Sequence, residues 1–240
     1  MIAIQHLTKK FNKFTALSSV NLEFSNGHSV ALIGPNGCGK TTLIKSILGL
    51  NVIDDGDILV FGKSVKKDFK YREKIGYMPQ IGKYPENMTI EQTLKMIIDT
   101  RKAQQSELDK ELLEAFNLQA IYNKKMRTLS GGTTQKVSAV LAFMFDPQII
   151  ILDEPTAGLD PLAAEILKNK IIKERNKGKL IIITSHLLSE LDDIVSQIVF
   201  MNEGNVIVHQ SVEEIKSENN SQKISEAIIS ILKKINLENE

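Results

Sequence analysis

Residues 34 to 42, GPNGCGKTT, bring together glycine backbone, a lysine and two threonines in a pattern suited to holding phosphate. Gly34, Gly39, Lys40 and Thr41 stand at P-loop spacing, with Pro35, Asn36, Gly37 and Cys38 between them and Thr42 after. Glycine lets the backbone fold so tightly that successive N–H groups turn inward onto phosphate oxygens. A helix opening at Lys40 aims its positive end at the same anion. Lys40 is then placed for the β- and γ-phosphates of a nucleoside triphosphate, and the Thr41 hydroxyl for Mg2+. A glycine-rich turn before a helix is the plainer alternative. The strand-like SVALIG before the loop and the helical KTTLIKSILGL after it favour the nucleotide. Cys38 lies inside the loop. It reads as a small residue at a permissive position, as a thiol activated by the helix end and Lys40, or as a copper ligand, for which one lone cysteine is poor support.

Two further groups could act on that phosphate. The run IIILDEP (149 to 155) ends in paired carboxylates. Asp153 is placed for the Mg2+ shell. Glu154, one residue on, points elsewhere and can accept a proton from an attacking water. A solvated Asp-Glu-Pro turn would explain the pair alone, but a P-loop on the same chain favours catalysis. The segment LSGGT (129 to 133) offers Ser130 and the amides of Gly131 and Gly132 as a second anion nest at a helix start. The γ-phosphate of the chain's own nucleotide is already held by the P-loop. A second nest makes sense if it closes on a nucleotide bound to another copy.

These residues need elements to hold them. IAIQHL, LSSVNLEF and HSVALIG read as strands, with a turn at Ser25-Asn26-Gly27. From about Met88 to Arg127 the pattern is helical and charged, and Thr89 with Gln92 has capping-box spacing. QIIILDEP and KLIIITSH are nearly continuous apolar runs, as in parallel strands buried on both faces. QIVFMNEGNVIVHQ predicts a hairpin turning at Glu203-Gly204, and residues 215–240 have apolar residues at helical spacing. The expected fold class is α/β, a P-loop core with a parallel sheet, an antiparallel β subdomain and a helical subdomain. The expected limits are 1–210 for the main domain, about 82–130 for its helical subdomain and 211–240 for a helical extension.

Composition narrows the function. A net charge of +1 gives no footprint for nucleic acid. No apolar run is long enough to cross a bilayer, and a single cysteine suits a reducing cytoplasm.

The order P-loop, GYMPQ, LSGG, ILDEP, AGLD, TSH resembles that of ABC-type ATPases, from FNKFTAL to VFMNEG. The resemblance implies roles for further residues. Phe11 would stack on adenine, in place of the usual tyrosine. Gln80 would contact Mg2+ and the water. Asp160 would cross a dimer interface, and His186 would touch the γ-phosphate. It implies that two copies enclose two Mg-ATP, each lending Ser130, Gly131, Gly132 and Asp160 to the other's nucleotide. It also implies a separately encoded transmembrane permease and a place on the inner face of the plasma membrane. Thr133 departs from the family's usual LSGGQ. A soluble ABC ATPase of translation or DNA repair is the alternative, but such proteins usually carry two cassettes or a long coiled coil. More narrowly, YREKIGYMPQIGKYPENMTI, LSGGTTQKV, LAFMFDP and GLDPLAAEILK resemble the ATPase of the Nos maturation transporter in its form from Bacteroidetes-like bacteria. That transporter supports assembly of the copper centres of nitrous oxide reductase, with a permease and a periplasmic partner.

Overall fold

The computed structural model describes residues 1–185, 191–219, 221 and 223–230. The chain runs β1 (Ile2–Phe11), β2 (Phe14–Phe24), β3 (Ser29–Ile33), α1 (Lys40–Ile47), β4 (Asp55–Val60), β5 (Lys63–Ser64), β6 (Ile75–Met78) and α2 (Ile90–Arg101). It continues through α3 (Glu111–Ala115), α4 (Gly131–Phe143), β7 (Ile149–Asp153), α5 (Pro161–Asn176), β8 (Leu180–Thr184), β9 (Gln197–Asn202), β10 (Asn205–Ser211) and α6 (Val212–Glu218). Two compact units result, residues 1–68 with 183–240, and residues 69–182.

In the first unit an antiparallel sheet has the order β2-β1-β4-β5. Ile2 and Ile4, and Val20, Leu22 and Phe24, are buried at alternate positions, and buried Leu7 and Leu17 follow across register shifts. β3 is buried at every position and lies parallel to β9. β9 turns into antiparallel β10 across Glu203 and Gly204, both at positive φ (44° and 78°). That is the backbone of a two-residue hairpin whose twist matches its strands, and the turn falls where the sequence puts it. Ser211 and Glu214 form a capping box at α6, and residues 224–230 are helical. The Ile224 N–H donates to the Asp192 carboxylate at 2.9 Å. The remainder of the expected extension, residues 231–240, lies outside the described residues.

In the second unit β6 and β7 are parallel, and a helical stretch connects them. The expected capping box opens α2: Thr89 Oγ1 accepts from the Gln92 N–H at 3.2 Å, and Gln92 Oε1 accepts from the Thr89 N–H at 3.0 Å. α4 packs directly onto β6. A Cβ on Gly76 would lie 1.9 Å from the Ala142 carbonyl, so only glycine permits that approach. In α5, Lys170 is buried and donates to Asp109 (2.5 Å) and Glu111 (2.6 Å), and pairs with Glu174 at 3.0 Å. The oxygens of those three acids lie within 4.8 Å of one another, a spacing that could hold a metal. The Lys170 ammonium already supplies the positive charge at that point.

Candidate active site

β3 delivers the chain into the glycine loop. A Cβ on Gly34 (φ 147°) would meet the Met201 carbonyl at 2.1 Å, and one on Gly39 (φ 110°) would meet the Ala16 carbonyl at 2.6 Å. These glycines let the back of the loop press against its neighbours. Gly37 (φ 80°) has nothing within 4 Å of its would-be Cβ, so that side is open. α1 starts at Lys40 with no acidic residue in its first turn, which leaves its positive end uncompensated. The Lys40 ammonium is buried and donates to the carbonyls of Gly34 (2.7 Å) and Pro35 (3.0 Å). Cys38 is only 3% exposed, with its Sγ 3.7 Å from the Lys40 Nζ. Its thiol points into the protein, which favours the small space-filling residue over a thiol open to reagents.

The β9–β10 turn fastens this loop from outside. The Gly204 N–H donates to the Cys38 carbonyl at 3.0 Å, and the Gly204 carbonyl accepts from the Ser18 N–H at 2.9 Å. Phe11 ends β1 opposite Phe14 and is 47% exposed, with the Lys9 ammonium 5.0 Å from its ring centre. Its exposure excludes a core role and leaves a face for stacking.

The second unit holds the other candidates. Asp153 is buried at the end of β7. Burial, and then the charge of Asp153, push the Tyr77 hydroxyl up to about 12, so Tyr77 stays neutral. Glu154 follows at φ 51°, in the left-handed region that a non-glycine residue enters at a cost of about 1–3 kcal/mol. The sequence does not signal that backbone conformation.

α4 ties several candidates together. Ser130 caps its N-terminus, its Oγ accepting from the Thr133 N–H at 3.2 Å. Gly131 has nothing within 4 Å of its would-be Cβ, whereas one on Gly132 would lie 2.5 Å from the Gly158 carbonyl. Gln135 donates through Nε2 to the Gln80 carbonyl at 3.3 Å. Lys136 donates to Asp160 at 2.7 Å, and Asp160 also caps α5 by accepting from the Ala163 N–H at 2.9 Å. The Lys136 hydrogen bond, then the Ala163 N–H, hold the Asp160 carboxyl below the usual carboxylate range. Sequence reasoning passed over Gln135 and Lys136. Both lie just beyond LSGGT, after Thr134, and polar residues on an otherwise apolar helix were the available signal. Within this unit Gln80, Ser130, the two glycines and Asp160 are thus linked through one helix. His186 lies outside the described residues.

The family model described as ABC transporter matches residues 17–157. The uncharacterized ABC transporter ATP-binding protein YhaQ of Bacillus subtilis is 34% identical over 220 residues, covering 90% of this chain and 73% of that protein. A solved ATP-binding subunit of an ABC transporter has a TM-score of 0.90 at 27% identity, covering 97% of this chain and 99% of that one. A dimeric cassette, MJ0796, in a post-hydrolysis state bound to ADP and Pi shares the fold with a TM-score of 0.77 at 23% identity, covering 88% of this chain and 99% of its own.

Proposed function

The chain belongs to the ABC transporter family, and we propose that it is an ATP-hydrolysing subunit whose two copies close on two Mg-ATP and drive a separately encoded membrane permease. The observation that carries this reading is the open nest at Ser130 and Gly131 on a chain that already has a phosphate loop. The MJ0796 dimer with ADP and Pi is the precedent for two such chains acting together.

In this reading the P-loop amides and Lys40 hold the β- and γ-phosphates. Lys40 must first leave the Gly34 and Pro35 carbonyls. Thr41, Gln80 and Asp153 would hold Mg2+. The hydroxyl and carboxylate are oxygen donors suited to this hard cation, which when bound offsets phosphate charge. Phe11 stacks on adenine. Glu154 takes a proton from the water as its oxygen bonds the γ-phosphorus, and the bond from that phosphorus to the β–γ bridging oxygen breaks. His186 contacts the γ-phosphate. Ser130, Gly131, Gly132 and Asp160 complete the site of the other copy. Residues 1–210 form the cassette, about 82–130 its helical subdomain and 211–240 an extension. Among the described residues no helix is long and apolar enough to cross a membrane. In this reading the chain sits on the inner face of the membrane, against its permease.

Glu154→Gln tests the chemistry. The amide keeps the shape but cannot take the proton, so ATP binding should persist while turnover falls about 100-fold or more. Mg-ATP should then trap a dimer visible by size-exclusion chromatography. Turnover near the wild-type rate would remove Glu154 from its role.

A narrower reading is that the transporter serves copper-centre maturation of nitrous oxide reductase, with a periplasmic partner. The resemblance in the connecting segments supports it. A strain lacking this chain should make that reductase without its full copper complement. Fully loaded reductase in the deletion strain would end the narrower reading and leave the ATPase assignment intact.

A further inference from the structure

The residue that departs from the family's usual glutamine makes a contact of its own. We propose that Thr133 is a positioning residue that sets the Ser130 hydroxyl as a hydrogen-bond donor toward the γ-phosphate held by the other copy. This rests on the shared-site reading above.

A hydroxyl has one proton to give and can accept two. Ser130 Oγ accepts from the Thr133 N–H at 3.2 Å and lies 2.9 Å from Thr133 Oγ1. Either hydroxyl could donate in the second contact, so the surroundings must decide. The natural alternative acceptor for a threonine in a first helical turn is a carbonyl three or four residues back. The Ser130 carbonyl is three back, and Thr134 already uses it twice: its N–H donates at 3.0 Å and its hydroxyl at 3.2 Å. The Leu129 carbonyl, four back, makes no hydrogen bond with Thr133 Oγ1, whose one partner among the described residues is the Ser130 Oγ, so the Thr133 proton is left to that oxygen. With both of its lone pairs occupied, Ser130 can only donate, and its proton turns away from Thr133. Beside it, Gly131 leaves open space where a side chain would stand. An ionised phosphate oxygen accepts and does not donate, so it matches a hydroxyl set in this way. The chain Thr133 O–H to Ser130 O–H to phosphate also polarises cooperatively.

The test uses full-length protein in the Glu154→Gln background, where Mg-ATP should hold the dimer. Thr133→Val removes the hydroxyl and keeps a branched side chain. It should weaken ATP-dependent dimerisation roughly tenfold, as loss of part of a hydrogen bond to a charged group would. ATP affinity of the monomer should not change. Thr133→Ser, which keeps the hydroxyl, should restore the dimer. Three results overturn the proposal: wild-type dimerisation of Thr133→Val, loss of monomer ATP affinity in that variant, or failure of Thr133→Ser to restore. Ser130→Arg in the same background separates the two levels. If it still dimerises like the parent, the shared-site reading fails. If it does not while Thr133→Val dimerises normally, only the role of Thr133 fails.

Discussion

At the scale of single residues, a buried carboxylate bears directly on stability. Glu174 is fully buried in α5, paired with Lys170 at 3.0 Å, Lys177 at 2.7 Å and also Lys179. Burial alone would raise its pKa, but hydrogen bonds from Lys177, Lys179 and Lys170 outweigh that and bring it from 4.5 down to about 2. For Lys170, burial pulls the pKa down, and Asp109, Glu111 and Glu174 reverse this, so it stays charged. Glu174→Gln takes a buried carboxylate from three ammoniums, of which Lys170 keeps Asp109 and Glu111 and Lys179 keeps Asp146. The loss should cost about 1–3 kcal/mol, as for a buried charge-assisted hydrogen bond. The sign of the pH effect follows from the lowered pKa. The contribution of Glu174 is complete above its ordinary pKa of 4.5 and is lost as pH falls through about 2. Urea midpoints measured over that window should fall less steeply in Glu174→Gln than in the parent, and equal slopes would refute the assignment.

The sequence does not reveal this network. The i,i+4 spacing of Lys170 and Glu174 alone is worth only about 0.2–0.5 kcal/mol on an isolated helix. The acids at 109 and 111 that complete it come from far along the chain. By contrast the buried strand ending at Asp153 and the tight glycine loop were legible, because each depends on neighbours in sequence.

At the scale of elements, local signals held and long-range ones were silent. The capping box at Thr89 and the hairpin turn at Glu203-Gly204 are written within a few residues each, and both are present. What the turn touches is not written locally. Gly204 holds the Cys38 carbonyl, and a Cβ added there would meet the Ala16 carbonyl at 2.9 Å. Gly204→Ala therefore combines a left-handed backbone penalty of about 1–2 kcal/mol with displacement of the strap over the phosphate loop. KM for ATP should rise several-fold, with a smaller change in kcat. Gly27→Ala is the matched control. Its φ is +75° and its Cβ would meet nothing within 4 Å, so it carries the backbone penalty without the collision. It should lower the melting temperature and leave KM unchanged. If both variants raise KM equally, the effect is one of general stability and the Gly204 contact has no part in it.

At the scale of the whole molecule, the question is whether one chain suffices. The P-loop belongs to residues 1–68 with 183–240, and the Ser130 nest belongs to residues 69–182. Helix α4 gives that nest its own supports, Gln135 on Gln80 and Lys136 on Asp160. Ser130→Arg should therefore leave ATP binding to each monomer intact while blocking closure on the other copy's nucleotide. Lys40→Ala should fail at the opposite step, losing the phosphates of its own nucleotide. Mixed in equal amounts, the two inactive variants form pairs in which one site carries both lesions and the other carries neither. Sites shared between copies predict that the mixture recovers part of the wild-type ATPase rate, measured as phosphate release. A self-sufficient chain predicts something different. Ser130→Arg would then be active by itself, and mixing would add nothing to it. Full activity of isolated Ser130→Arg would defeat the shared site, and the model of two copies closing on ATP would go with it.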